Sequence, residues 1–147
     1  MVGQRFIPMP LRSWLFPAES RFFAGQRWIN IALRTLHLLG IAGLGAGFLY
    51  AGVDESWRGY LTLTLFSGLG LSLLFFWSNG IWLIQLRGQL ILLKILLLAA
   101  IPLWPAAGPP LFVTVILISG LISHAPAELR YFSLFHGRRI ERIPDDD

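Results

Sequence analysis

Trp28–Ala51, reading WINIALRTLHLLGIAGLGAGFLYA, decides what kind of protein this is. The stretch holds no acid, and its ionisable groups, Arg34 and His37, sit near one end. About 20 apolar residues in helical form cross a bilayer core of roughly 30 Å, so it is long enough to span a membrane. An ionisable side chain at that depth is costly and calls for a partner or a task. His37 lies nine residues beyond Trp28, or about 13 Å along a helix that rises ~1.5 Å per residue. The second half of the stretch is small: Gly40, Ala42, Gly43, Gly45, Ala46 and Gly47, with Gly43 and Gly47 in GxxxG spacing. Such residues let a second helix or a flat ligand approach the backbone. At about 100° per residue, Gly40 and Gly47 fall within roughly a quarter turn of His37.

The rest of the chain has the same character. Of 147 residues, 55% are hydrophobic and 14% charged, against about 25% charged in an ordinary soluble domain. The deficit is concentrated in long uncharged blocks, the mark of membrane helices. The expected fold is all-α, a four-transmembrane-helix bundle with helices at 28–51, 59–80, 89–105 and 110–125. That membrane domain, 28–125, lies between a basic, aromatic interfacial segment (1–27) and a basic amphipathic tail (126–147). Pro110 suits the first turn of a helix, and PAAGPP at 105–110 reads as a stiff turn. Arg5, Arg12, Pro8, Pro10 and Pro17 interrupt any signal-peptide core, so the first hydrophobic helix is expected to be retained.

The net charge is +4 and there is no cysteine. The second fact excludes disulfides, thiolate-held zinc or iron–sulfur clusters, and covalently attached haem. The arginines flank apolar runs, which points to anionic lipid headgroups rather than nucleic acid. Four spans put both termini on one side. That side gathers Arg5, Arg12, Arg21, Arg27, Arg87, Arg130, Arg138, Arg139 and Arg142; the other has Arg58 beside Asp54 and Glu55. The positive-inside rule then places both termini in the cytoplasm, with a bacterial inner membrane the expected location. Tyr50, Trp57, Tyr60 and Trp104 form an outer aromatic belt; Trp28, Trp82 and Tyr131 form an inner one.

Each predicted helix places one polar residue in the cytoplasmic leaflet: His37, Asn79, Lys94 and His124. In hydrocarbon such groups turn inward and find one another, which predicts a single polar pocket with Arg34 at its mouth. Helical bundles build cofactor sites this way, and two imidazoles at matched depth suit haem b. On this reading His37 and His124 are the iron ligands, Gly40 admits the macrocycle, and Asn79 joins the lining. Arg34 and Lys94 pair with the propionates. Alternatively, one histidine ligates while Lys94, the candidate catalytic residue, acts as acid, base or second ligand. The competing assignments are structural: Lys94 snorkels, His124 sits in the interface, and His136 is a surface residue. No GxSxG, Walker loop, HExxH or Rossmann glycine pattern is present. A second class of function stays open, a non-catalytic accessory subunit docked to other membrane subunits, or to itself, through the glycine-rich faces.

ALRTLHLLGIAGLGAGFLY in the first helix, with GQLILLKILLL in the third, resembles small four-helix membrane proteins of the copper-resistance-D and HemJ type. The resemblance implies haem b binding and an electron-transfer or porphyrinogen-oxidising role. It also implies reliance on a first-helix histidine and a later lysine, which match His37 and Lys94. The segment SHAPAELRYFSLFHGRR, 123–139, has the look of a motif with no chemistry attached to it.

Overall fold

A computed structural model gives the structure of residues 11–50 and 56–141. The far end of the first predicted span (Ala51), the acids Asp54 and Glu55, the arginines Arg5 and Arg142 and the final aspartates lie outside the described residues. The chain runs α1 (Leu11–Leu15), α2 (Gln26–Leu49), α3 (Trp57–Ser78), a 3-10 turn (Gly80–Ile84), α4 (Leu86–Ala100), a 3-10 turn (Pro105–Ala107), α5 (Gly108–His124) and α6 (Ala127–Arg130). A two-residue antiparallel ladder closes it, pairing β1 (Phe132–Ser133) with β2 (Arg138–Arg139).

Three helices are long and apolar enough to cross a membrane: α2, α3 and the run Pro105–His124 that includes α5. The fourth, α4, has 15 residues. The molecule wears its large apolar side chains outward. Leu38, Phe66, Leu73, Leu96, Leu117 and Leu121 are each more than half exposed, as befits walls whose solvent is lipid.

The α2–α3 pair is antiparallel and in even register, because glycines on α2 meet particular residues of α3. A Cβ at Gly40 would lie 2.9 Å from Thr64 N and 3.1 Å from Thr64 Cα. One at Gly43 would run into the Tyr60 ring, and one at Gly47 would meet Trp57 Cβ at 2.9 Å. The GxxxG face is therefore spent inside the molecule. At the other end of the pair, Gly25, with φ 86, sets the left-handed residue before α2. Gln26 follows it, buried, accepting from Phe23 N and donating to Ser78 Oγ at 2.8 Å.

Packing is solid at the end of the bundle away from these contacts. Leu44, Trp57, Leu61, Leu98, Ile101, Phe112 and Val115 form one buried cluster, with Phe48 tilted against Trp57 and edge-on to Phe112.

The opposite end is built differently. The second helix does not continue beyond Ser78: Asn79 is extended (φ −170, ψ 120) and caps the following 3-10 turn, its Oδ1 accepting from Ile81 N. The N-terminal segment lies across this break, with Asn79 Nδ2 donating to Pro17 O and Arg21 N to Ser78 O. The tail joins from the other side. Buried Gln85 donates to Ile140 O at 2.7 Å, and the tail is a single helical turn followed by a small hairpin. Gly137, with φ 61, makes the hairpin turn, and Ser133 is fully buried. The segment 123–139 thus serves to seat the tail on the α3–α4 connection.

The register makes a stability prediction. Gly40→Ala forces α2 from the α3 backbone and should cost about 1–3 kcal/mol, read as a lower midpoint in detergent thermal unfolding. Gly120→Ala on α5, where an added Cβ meets nothing within 4 Å, should leave that midpoint unchanged.

Candidate functional site

The α2–α3 register delivers His37 to a fixed place. Its imidazole lies over Gly68, where a Cβ would come within 3.1 Å of His37 Cε1. His37 Nδ1 is 3.0 Å from Thr64 O and 3.1 Å from Ser67 Oγ. A carbonyl only accepts, and the Ser67 hydroxyl already donates to Leu63 O at 2.6 Å. Nδ1 therefore carries the proton, and in the neutral ring Nε2 keeps its lone pair. Among the described residues Nε2 has no hydrogen-bond partner.

Lys94 reaches the same space from the α4–α5 pair. Its ammonium donates to Ser119 Oγ at 3.0 Å, and Ser119 donates on to Val115 O. Both side chains line one cavity of about 250 Å³ between the two helical hairpins. Thr64, Ser72 and Ser119 supply the rest of its polar lining; Ile41, Leu65, Leu71, Leu98 and Phe112 supply apolar walls. No ion pair among the described residues involves Lys94, so the cavity presents one ammonium and one free imidazole nitrogen without a counter-charge.

The other predicted members lie elsewhere. His124 is the exposed last residue of α5 and does not line this cavity. Arg34 is exposed on α2, and its side chain is not at the mouth. Gly40 is closed off by Thr64 rather than open to a ring. Asn79 lines a second cavity, of about 430 Å³, among the N-terminal segment, the α3–α4 connection and the tail. The expected four-way meeting thus resolves into one pair, His37 and Lys94. No group of three or more histidine, cysteine or acidic side chains that could hold a metal ion occurs among the described residues.

Sequence reasoning passed over the residues that fix the pair. Thr64 and Ser67 stand three apart on α3, one helical turn, and Ser119 is one of three hydroxyls on α5, with Thr114 and Ser123. A hydroxyl in a span usually satisfies itself on the carbonyl one turn back, as Thr64, Ser67 and Ser119 do here, so nothing in the sequence marks these three as second partners.

No family model, no curated protein and no solved structure matches this chain.

The Lys94–Ser119 contact sets a coupling that can be measured. Ser119→Ala strips the half-buried ammonium of its acceptor and should cost about 1 kcal/mol. In a Lys94→Met background the same change should cost less than about 0.5 kcal/mol, since no charge is left to satisfy. A double-mutant cycle of thermal unfolding in detergent checks this.

Proposed function

We propose that this chain is a multi-pass integral membrane protein that binds haem b between its two helical hairpins, with His37 as axial ligand, for electron transfer or porphyrinogen oxidation. The observation that carries the reading is the orientation of His37. Its Nδ1–H is held by the Thr64 carbonyl, the outer-shell bond that a metal-ligating histidine ordinarily makes, while Nε2 stays free. The donor set suits one axial imidazole with Lys94 across the cleft, rather than two histidines. Bound there, haem b would supply one-electron chemistry at its iron.

Space is the stricter test. The His37–Lys94 cavity, about 250 Å³, is below the roughly 300–1,000 Å³ of sites for drug-sized ligands, and a porphyrin is larger than these. The cavity that contains Asn79 adjoins it: Phe75 and Ile91 line both. A macrocycle fits this reading when it occupies the two together. The accessory-subunit alternative loses its main support, because the glycines meant for docking already face α3 or side chains of this chain.

The proposed topology has four spans, α4 being the fourth, with both termini in the cytoplasm. It is supported by the gathering of the N-terminal segment, the α3–α4 connection and the tail at one end of the bundle. Arg21, Arg87, Arg130, Arg138 and Arg139 lie in those segments, and positive charge favours the cytoplasmic face.

Protein purified from haem-replete cells should show a Soret band, and His37→Ala should abolish it, while Lys94→Met should shift rather than remove it. A colourless, well-folded preparation would sink the reading. Because the chain has no cysteine, single-cysteine variants at Gly137 and Ser56 report topology directly. Only Gly137→Cys should react with a membrane-impermeant thiol reagent applied from the cytoplasmic side.

A further inference from the structure

Resting on that reading, we infer that the second cavity is where the ligand's acidic end is held, with Arg87 as the residue that receives a carboxylate. Both cavities are walled mainly by apolar surface, but the Asn79-containing one carries the larger share of polar groups. Ser20, Ser78, Asn79, Gln85, Arg87 and Tyr131 contribute to its walls. Arg87 is the cation on that lining, and no ion pair among the described residues involves it. It is held in place from two sides. Its guanidinium lies over the Tyr131 ring, 4.7 Å from the centroid, and its Nε donates to Gln85 Oε1 at 2.7 Å. That leaves the two terminal nitrogens, the pair that binds a carboxylate end-on. The acid on the same lining, Glu141, is already engaged: Arg139 donates to it from Nε at 2.9 Å and from a terminal nitrogen. Trp82, from the same wall, keeps a buried indole N–H without an acceptor.

Phe75 and Ile91 line both cavities, so these side chains form the throat between the chamber that carries Arg87 and the chamber that carries His37 and Lys94. A flat apolar body with carboxylates on one edge matches that sequence of surfaces. The acids would meet Arg87 at the level of the lipid headgroups, and the ring would pass Phe75 and Ile91. Neither Arg34 nor Lys94 is needed for the acids. Arg34 lies outside both cavities, and Lys94 lies beyond the throat.

The test uses the full chain in nanodiscs of zwitterionic lipid and three probes: haem b, metal-free protoporphyrin IX and protoporphyrin IX dimethyl ester. The wild type should bind the free acid about tenfold or more tighter than the ester, the strength of a charge-assisted contact. Arg87→Gln should erase that ratio while leaving ester affinity unchanged, which also shows that the variant is folded. Arg87→Lys should keep most of the ratio. A ratio that survives Arg87→Gln, or that is absent from the wild type because Arg87 holds a lipid phosphate instead, overturns the inference. The haem reading fails separately: haem and protoporphyrin IX would bind alike and His37→Ala would change neither, while the Arg87-dependent ratio persisted. Absence of all porphyrin binding removes both.

Discussion

The structure hangs on how closely α2 approaches α3. Three glycines, Gly40, Gly43 and Gly47, admit Thr64, Tyr60 and Trp57 to the α2 backbone, a separation that no larger residue at those positions would allow. In a membrane, helices gain little from excluding water, and close van der Waals contact is what favours their association. Here the same contact does a second thing. It brings the Thr64 carbonyl and the Ser67 hydroxyl under the His37 ring, so the histidine is anchored by the helix pairing itself. The imidazole has one protonated nitrogen committed and one nitrogen facing open space, and neither depends on a mobile loop.

The two ends of the bundle divide the work. Away from the termini, Phe48, Trp57 and Phe112 close the gap between the hairpins with interlocked rings. At the other end, Asn79 and Gln85 donate to the N-terminal segment and the tail that lie over them, and Gln26 ties α2 to Ser78 of α3. The first kind of packing excludes ligands, and the second leaves room beneath it. The Asn79-containing cavity lies at the end where the N-terminal segment, the tail and the buried amides collect, and the His37–Lys94 cavity runs from there to Leu98, Phe112 and Val115 of the core cluster. The tail is part of this arrangement: Tyr131 supports Arg87, and Ile140 seats Gln85.

Much of this was legible beforehand. Long uncharged blocks gave the helices, because a span must be apolar whatever it does. The ends were harder. α3 stops at Ser78 rather than 80, and α4 starts at Leu86 rather than 89, because Asn79 and Gln85 turn their amides to the overlying segments; α4 ends at Ala100 rather than 105, ahead of Pro102. Asn79 before Gly80 is a local turn signal, but the partners of the two amides, Pro17 and Ile140, are distant in sequence. The same limit governs the site. Depth along a helix is readable, and it placed His37 and Lys94 at one level. Azimuth is not, and it turns Arg34 to the exposed face of α2, while His124 ends α5 beyond the level of Ser119. For His37 the neighbouring glycines carried azimuthal information, although they were open to two uses, ring or helix; the structure shows the helix.

That outcome changes how a glycine-rich span should be read in a small membrane protein. Glycine beside a buried histidine leaves room for a macrocycle or for another helix, and the two demand different neighbours. A helix partner offers a carbonyl or hydroxyl at hydrogen-bond distance from the imidazole; a ring seated against the glycines would need them free of such a partner. Thr64 and Ser67 meet the first condition, so the open face of His37 is the one opposite the glycines' partner, towards Lys94. A ligand held by His37 must then lie between the hairpins rather than within the α2–α3 seam, which makes the looser contact between hairpins the part of the fold that ligand binding has to use.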